Sequence, residues 1–440
     1  MWNDSEAYEA VSKQPLFSHV LWSGPRAPLV PLFLKLTGGY DGYGIAQAVV
    51  STLAWGFLAW TVARLVAPGW RRVLVILAVL GFATAPLVVQ WDWSALSESP
   101  SLSALACLLA VGLWLVQRFT WIRLLGLGVA AAAYVGLRDA DIWVIGAVGL
   151  VLVIAGVTGT IRGAALQGGG IARSLRRTVQ MRWFRTRRPI MAGAVLFVVA
   201  LAAGVAANAS HRNVLNIEEV FYVRIFPYPD RVAWFASHGM PMATDVETFA
   251  QRNPPPAPGN APVVSPGLTD PMWHPLKTWF EHHGLTAYTA YLVTHPGYVI
   301  AAPFERPQLT FNNASGDLGF YIPTGHLTLR TLQTLFVPDK VVVIVMAGCA
   351  VLLAAARRLY RRREWIFIAA FALVGLASML LAWHGEGQEV TRHMVEGDVE
   401  VRLGVLLALL LGLLADRQPD GAGDSDVRSH QDEPREPLFV

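Results

Sequence analysis

The stretch ALSESPSLSALACLLAVGLWL, residues 95 to 115, decides the fold class. From Leu102 onward it carries no charged side chain, and the apolar run continues to Gln117. A span at 100–117 is close to the roughly 17 to 25 residues that about 30 Å of hydrocarbon requires of an α-helix. Glu98 stands directly at the mouth of this run.

Outward from this stretch the same pattern recurs. Apolar runs at 44–66, 73–90, 122–137, 141–158, 190–208, 338–356, 365–383 and 402–416 join the one at 100–117 as predicted spans. The runs at 122–137 and 402–416 are short for a full crossing and call for tilt, flanking extension or partial re-entry. The composition agrees, with 54% hydrophobic and 15% charged residues and a mean hydropathy of +0.43. The expected fold is an all-α polytopic membrane protein of about nine transmembrane helices with one large extracytoplasmic region.

The net charge of +4 does not point to nucleic acid, because the basic residues stand in blocks beside apolar runs rather than on one face with stacking aromatics. Cys107 and Cys349 lie inside apolar runs without the neighbours of a metal or redox motif, and read as packing residues. Walker, HExxH, dinucleotide-loop and nucleophile-elbow patterns are missing from the sequence, so nucleotide-driven chemistry is not expected.

Sidedness follows from arginine, which is retained on the cytoplasmic side. The turn at Arg64, Arg71 and Arg72, the turn at Arg118 and Arg123, the loop from Arg173 to Arg188, and RRLYRRR from Arg357 to Arg363 would all be cytoplasmic. The N-terminal stretch, WDWSALSES at 91–99, LRDAD at 137–141, the region 209–337 and HGEGQEVTRHMVEGDVE at 384–400 then face outward. This divides the chain into an outward N-terminal loop with an amphipathic segment (1–43), spans one to six (44–208) with a basic cytoplasmic loop near 159–189, an extracytoplasmic region (209–337), spans seven to nine (338–416), and a Pro/Gly-rich acidic cytoplasmic tail (417–440) that reads as disordered. The N-terminus is expected outside and the C-terminus in the cytoplasm. A start on MWNDSEAY, without a signal, suggests that a first helix belongs before it.

In the outward region, RNPPPAPGNAPVVSPG reads as loop and NNAS at 312–315 as a weak glycosylation triplet. PLKTWFEHHGLTAYTAYLVTHPGYVI reads as a helix, a break at His295-Pro296 and a second short apolar segment, its aromatics suited to headgroup depth.

Chemistry is sought among outward ionisable groups, since such residues near a membrane cost several kcal/mol unless solvated or paired. The acidic set is Asp4, Glu6, Asp92, Glu98, Asp139, Asp141, Glu386 and Glu389. A solvated outer face explains most of these singly, whereas Glu98, at the head of an apolar helix, reads as functional. Arg138 offers a planar five-donor fork suited to phosphate or carboxylate, against the alternative of a local ion pair with Asp139 or Asp141. Adjacent Arg392 and His393 could hold an anionic lipid phosphate and hydrogen-bond a sugar, against the alternative of a loop with scattered charges.

DSEAY after an expected first helix, GPRAPLVPLFLKLTG leading into a span, SESPSLS opening another and a late RH pair together resemble the GT-C superfamily. These are polytopic glycosyltransferases that use polyprenyl-phosphate sugars, such as protein mannosyltransferases, the lipid A aminoarabinose transferase and actinobacterial arabinosyl- and mannosyltransferases. The resemblance covers the first 140 or so residues well and the rest in layout only. It implies a carboxylate at Asp4 that acts as base or orients the acceptor, with Glu6 as a nearby substitute, and places Glu98 at a position that helps hold a metal or the acceptor. It matches Arg26, Arg138, Arg392 and His393 to groups that bind substrate or lipid phosphate. A divalent ion, Mg²⁺ or Mn²⁺, would be held by Asp4 and Glu98 through hard oxygen ligands. The implied partners are a polyprenyl-phosphate sugar donor, membrane lipid and an extracytoplasmic acceptor. A transporter or flippase for a lipid-linked substrate, or a non-catalytic membrane protein derived from such an enzyme, are the competing expectations.

Overall fold

The computed structural model describes residues 3–24, 26–93, 95–165, 175–210, 214–252, 271–305, 340–385 and 390–415. Among these every regular element is helical. In chain order the α-helices are α1 (Asn3–Ser12), α2 (His19–Ser23), α3 (Leu29–Leu36), α4 (Tyr40–Ala63), α5 (Trp70–Ala83), α6 (Pro86–Val89), α7 (Glu98–Gln117), α8 (Trp121–Leu137), α9 (Asp141–Ala165) and α10 (Leu175–Ala209). There follow α11 (Val214–Arg224), α12 (Pro229–Ser237), α13 (Ala243–Arg252), α14 (His274–Trp279), α15 (Leu285–Thr294), α16 (Pro296–Glu305), α17 (Lys340–Ala356), α18 (Arg363–Gly385), α19 (Val390–His393) and α20 (Val395–Leu414).

Each segment read as a span contains helix, and among the described residues five helices are long and apolar enough to cross a membrane: α4, α7, the first part of α9 (Asp141–Thr158), the later part of α10 (Arg187–Ala209) and α18. Shorter apolar helices are α8 and α17. The run expected at 73–90 is divided, with α5 ending at Ala83 and α6 starting at Pro86. Proline has no N–H to give the preceding turn and disfavours helical geometry in the residue before it.

The other difference lies at the late outward loop. Helix α20 starts at Val395, so the VEGDVEV stretch expected in the loop is helical, and Glu396 and Glu400 are buried with Arg402. Main-chain amides left without water are satisfied within a helix, which favours winding these residues once packing has buried them.

One apolar core joins the bundle. Leu58 of α4, Val79 of α5, Leu105 and Leu109 of α7, Ala131 of α8, Leu196 of α10, Ile368 of α18 and Leu403 of α20 all belong to it. Helices α18 and α20 approach closely at glycines: a Cβ on Gly397 would stand 2.6 Å from Met379 Cγ and 2.8 Å from the Gly375 carbonyl oxygen. A second, aromatic core holds α11 to α15 together, with Phe221 ringed by Phe235, Trp279, Phe280 and Tyr288. Here the expected break is present, since α15 ends at Thr294 and α16 begins at Pro296. The RNPPPAPGNAPVVSPG loop, the NNAS triplet and the acidic tail lie outside the described residues.

Candidate functional site

Helix α7 opens in a fully enclosed place. Glu98, Ser99, Pro100, Ser101, Leu102 and Ser103 are all buried, so small side chains on every face let neighbouring elements close around the first turns. Glu98, with 0% exposure, is the first residue of the helix, where the positive end of the peptide dipoles favours a carboxylate.

Its partner comes from the far end of the chain. Arg392 donates through Nε to Glu98 Oε1 at 2.5 Å. Glu98 Oε2 is buried and has no hydrogen-bond donor. One oxygen of this carboxylate is therefore fixed by a guanidinium while the other remains an open acceptor.

Arg138, in the turn after α8, points at the same region. Its Nη1 lies 3.0 Å from Glu396 Oε1, and its Nη2 donates to His393 Nδ1 at 2.6 Å. Guanidinium nitrogens only donate, so Nδ1 must accept and the imidazole proton must sit on Nε2. His393 is thus a neutral ring presenting an N–H. Burial holds its pKa well below the usual histidine range, and the charges of Arg138, Arg392 and Arg26 push in the same direction. Tyr134 of α8 donates its hydroxyl to Glu396 Oε2 at 3.3 Å. Asp141, the first residue of α9, is also buried, and its Oδ2 has no donor.

The tertiary structure therefore brings together Glu98, Arg138, Arg392 and His393, all expected from the sequence. Arg26 stands close enough for its charge to act on His393, with its guanidinium 5.5 Å from the centroid of the Tyr8 ring. Arg138 forms an ion pair with Glu396, a residue remote in sequence, and the charge of Asp141 acts on the same guanidinium.

Helix α1 docks beside this group. Ser5 Oγ donates to the Ala95 carbonyl at 3.1 Å, three residues ahead of Glu98, and Tyr40 donates its hydroxyl to the Ser5 carbonyl at 2.8 Å. Tyr43, buried with Tyr8, donates to the Leu96 carbonyl at 3.0 Å. Glu6 is on the exposed face of α1, apart from the buried cluster. Asp4 belongs to the same helix, but its side chain lies outside the described residues, as do Glu386 and Glu389. Asp92 accepts from Ser99 Oγ at 2.5 Å, and burial raises its pKa against that hydrogen bond.

Among the described residues no group of three or more His, Cys, Asp or Glu is arranged to hold a metal. Glu98 faces a guanidinium rather than a second described carboxylate, so a hard cation at Glu98 would depend on Asp4.

No protein-family model matches this chain, and no curated protein or solved structure does. The geometry alone must then carry the chemistry. It offers an oriented carboxylate with one open oxygen, beside cations and an imidazole N–H suited to an oxyanion.

The sequence reading missed Glu396 and Tyr134, and weighed Asp141 only as an outward carboxylate and as an alternative local partner of Arg138. A signal was present: read as a loop, the charges of 392–402 look scattered, but at helical spacing Arg392 and Glu396 share a face, as do Asp398 and Arg402, which pair at 2.8 Å. Glu400, one turn beyond Glu396, accepts from Ser378 at 2.9 Å.

Proposed function

We propose that this chain is a membrane glycosyltransferase of GT-C type that moves a sugar from a polyprenyl-phosphate donor to an extracytoplasmic acceptor. The observation that carries the reading is the Glu98–Arg392 pair, in which one carboxylate oxygen is held and the other open, next to Arg138 and His393. About nine helices cross the membrane in this proposal, the N-terminus lies outside and the C-terminus lies in the cytoplasm, in keeping with the arginine-rich turns.

In the proposed reaction Glu98 Oε2 takes the proton of the acceptor hydroxyl as that oxygen attacks the anomeric carbon. The bond from that carbon to the phosphate oxygen breaks, and its electron pair leaves on the lipid phosphate. Arg392, Arg138 and Arg26 oppose the developing charge, and His393 donates from Nε2. A single displacement inverts the anomeric configuration, through an oxocarbenium-like state. Mg²⁺ or Mn²⁺, if bound through Asp4 and Glu98, would supply further positive charge at the site.

A second reading has its own support. Asp398, Glu400 and Arg402 lie along α20 within the bundle, and ionisable residues inside a membrane commonly mark the path of a transported substrate. Radiolabelled polyprenyl-phosphate sugars in membranes bearing the wild-type chain, Glu98→Gln or Asp4→Asn separate the two. Transfer abolished in Glu98→Gln supports the enzyme; equal transfer in all three removes the proposed site. Movement of the lipid-linked sugar between leaflets without transfer would favour the transporter.

A further inference from the structure

Residues 285–304 form a run of 20 residues without Lys, Arg, Asp or Glu, and they build α15 and α16. At ten residues each, about 15 Å, neither helix can cross a bilayer. The helix is interrupted at His295, which leaves helical geometry at φ −123° and ψ 59° ahead of Pro296.

The outward side of α16 is unusual for a helix in water. Its exposed positions Pro296, Gly297, Ile300, Ala301 and Phe304 follow helical spacing and are all apolar. Ile300 is 62% and Phe304 58% exposed, and Val293 on α15 is 74% exposed. Charged groups of the aromatic-core region such as Arg224, Asp230, Lys277 and Glu281 precede this run in the chain, and Glu305 closes α16 beyond Phe304.

The depth of this surface is set by a direct link to a membrane-spanning helix. His384, in the last turn of α18, donates through Nε2 to the Val299 carbonyl at 2.9 Å and accepts from the Tyr288 hydroxyl at Nδ1 at 3.4 Å. Ala302 packs with Met379 and Trp383 of the same span and with Val390 and Met394 beyond it. Basic residues from Arg357 to Arg363 mark the opposite end of α18, so His384 is at its outer end. On α18 itself, Leu373, Leu376 and Leu381 are exposed as well.

We propose that α15 and α16 form a hairpin lying in the outer leaflet, with Val293, Ile300 and Phe304 buried at the boundary between headgroups and acyl chains. The partner is the lipid surface itself. The helices then act as a float that sets the height of the aromatic-core region over the bundle.

The test uses the full chain in phosphatidylcholine–phosphatidylglycerol vesicles, with Cys107 and Cys349 replaced by Ala. Single cysteines at Val293, Ile300, Phe304 and, as a water-facing control, Ser237 are labelled with an environment-sensitive fluorophore. Nitroxide placed high on the acyl chain should quench the first three several-fold more than the control, and iodide should do the reverse. Iodide quenching equal to that at Ser237 overturns the proposal. So does protection from both quenchers that disappears on dilution into excess lipid, which would mean a second copy covers the face. The unsubstituted protein gives an independent measure: a diazirine lipid activated at shallow depth should label peptide 285–304 and spare 229–252, and the opposite pattern overturns the placement. Neither readout depends on glycosyl transfer.

Discussion

Arg392 and Glu98 form an ion pair across 294 residues of chain, with side-chain exposures of 6% and 0%. Taking either charge out of water is costly, and the pair stands because each neutralises the other. Arg392→Met should therefore destabilise the protein by about 3 to 5 kcal/mol, since it strands a buried carboxylate. Glu98→Gln combined with Arg392→Met should recover much of that loss while leaving transfer activity absent. Thermal unfolding of the detergent-solubilised variants measures the first statement and a membrane transfer assay the second; additive losses in the double variant would dissolve the pairing.

His393 is held neutral, and its sign of pH dependence follows. Its folded pKa is below the unfolded value of about 6.5, so the unfolded chain binds the extra proton on acidification. Its contribution to stability is full above about pH 6.5 and declines below it, by up to about 1.4 kcal/mol per pH unit until the folded pKa is reached. His393→Asn, whose amide oxygen can still accept from Arg138, should flatten the change in unfolding temperature between pH 7 and pH 5. An unchanged slope would mean that the ring takes up its proton equally in the folded and the unfolded protein.

Tyr134 supplies the hydroxyl that meets Glu396 Oε2. Tyr134→Phe removes a hydrogen bond to a charged group, with an expected loss of about 1.5 to 3 kcal/mol. If Glu396 in turn orients Arg138, the same variant lowers turnover without altering the pH slope attributed to His393. Paired unfolding and activity measurements on this single variant test both parts.

Gly397 marks the closest approach of α18 and α20. Gly397→Ala would place a methyl carbon 2.6 Å from Met379 Cγ and force the helices apart, at about 1 to 3 kcal/mol for overpacking. Because Arg392, His393 and Glu396 are carried by α19 and the start of α20, the displacement should reach the site. The expected result is a lower unfolding temperature together with reduced transfer. Met379→Ala in the Gly397→Ala background should restore part of both.

Much of the helical layout was legible, because an apolar run of span length declares itself locally in composition. The division at Pro86 is local too, yet hydropathy averaged across it. Glu98 could be singled out because a carboxylate at the head of an apolar helix is costly without a partner. Its partner could not, since nothing in residues 95–115 refers to Arg392. The VEGDVEV stretch shows the opposite failure: its charges suggested an exposed loop, and only neighbours that bury and pair them make it helical.

By itself, the sequence determined an all-α architecture with apolar helices of membrane-crossing length and with charge gathered mostly outside them. Those properties depend on neighbours a few residues apart. Only the tertiary structure decided that Glu98 meets Arg392, that Arg138 meets Glu396 and His393, and that α16 rests against the end of α18. Charge pairing acts over a few ångströms of space without regard to distance along the chain, so its partners exist only once the helices have packed.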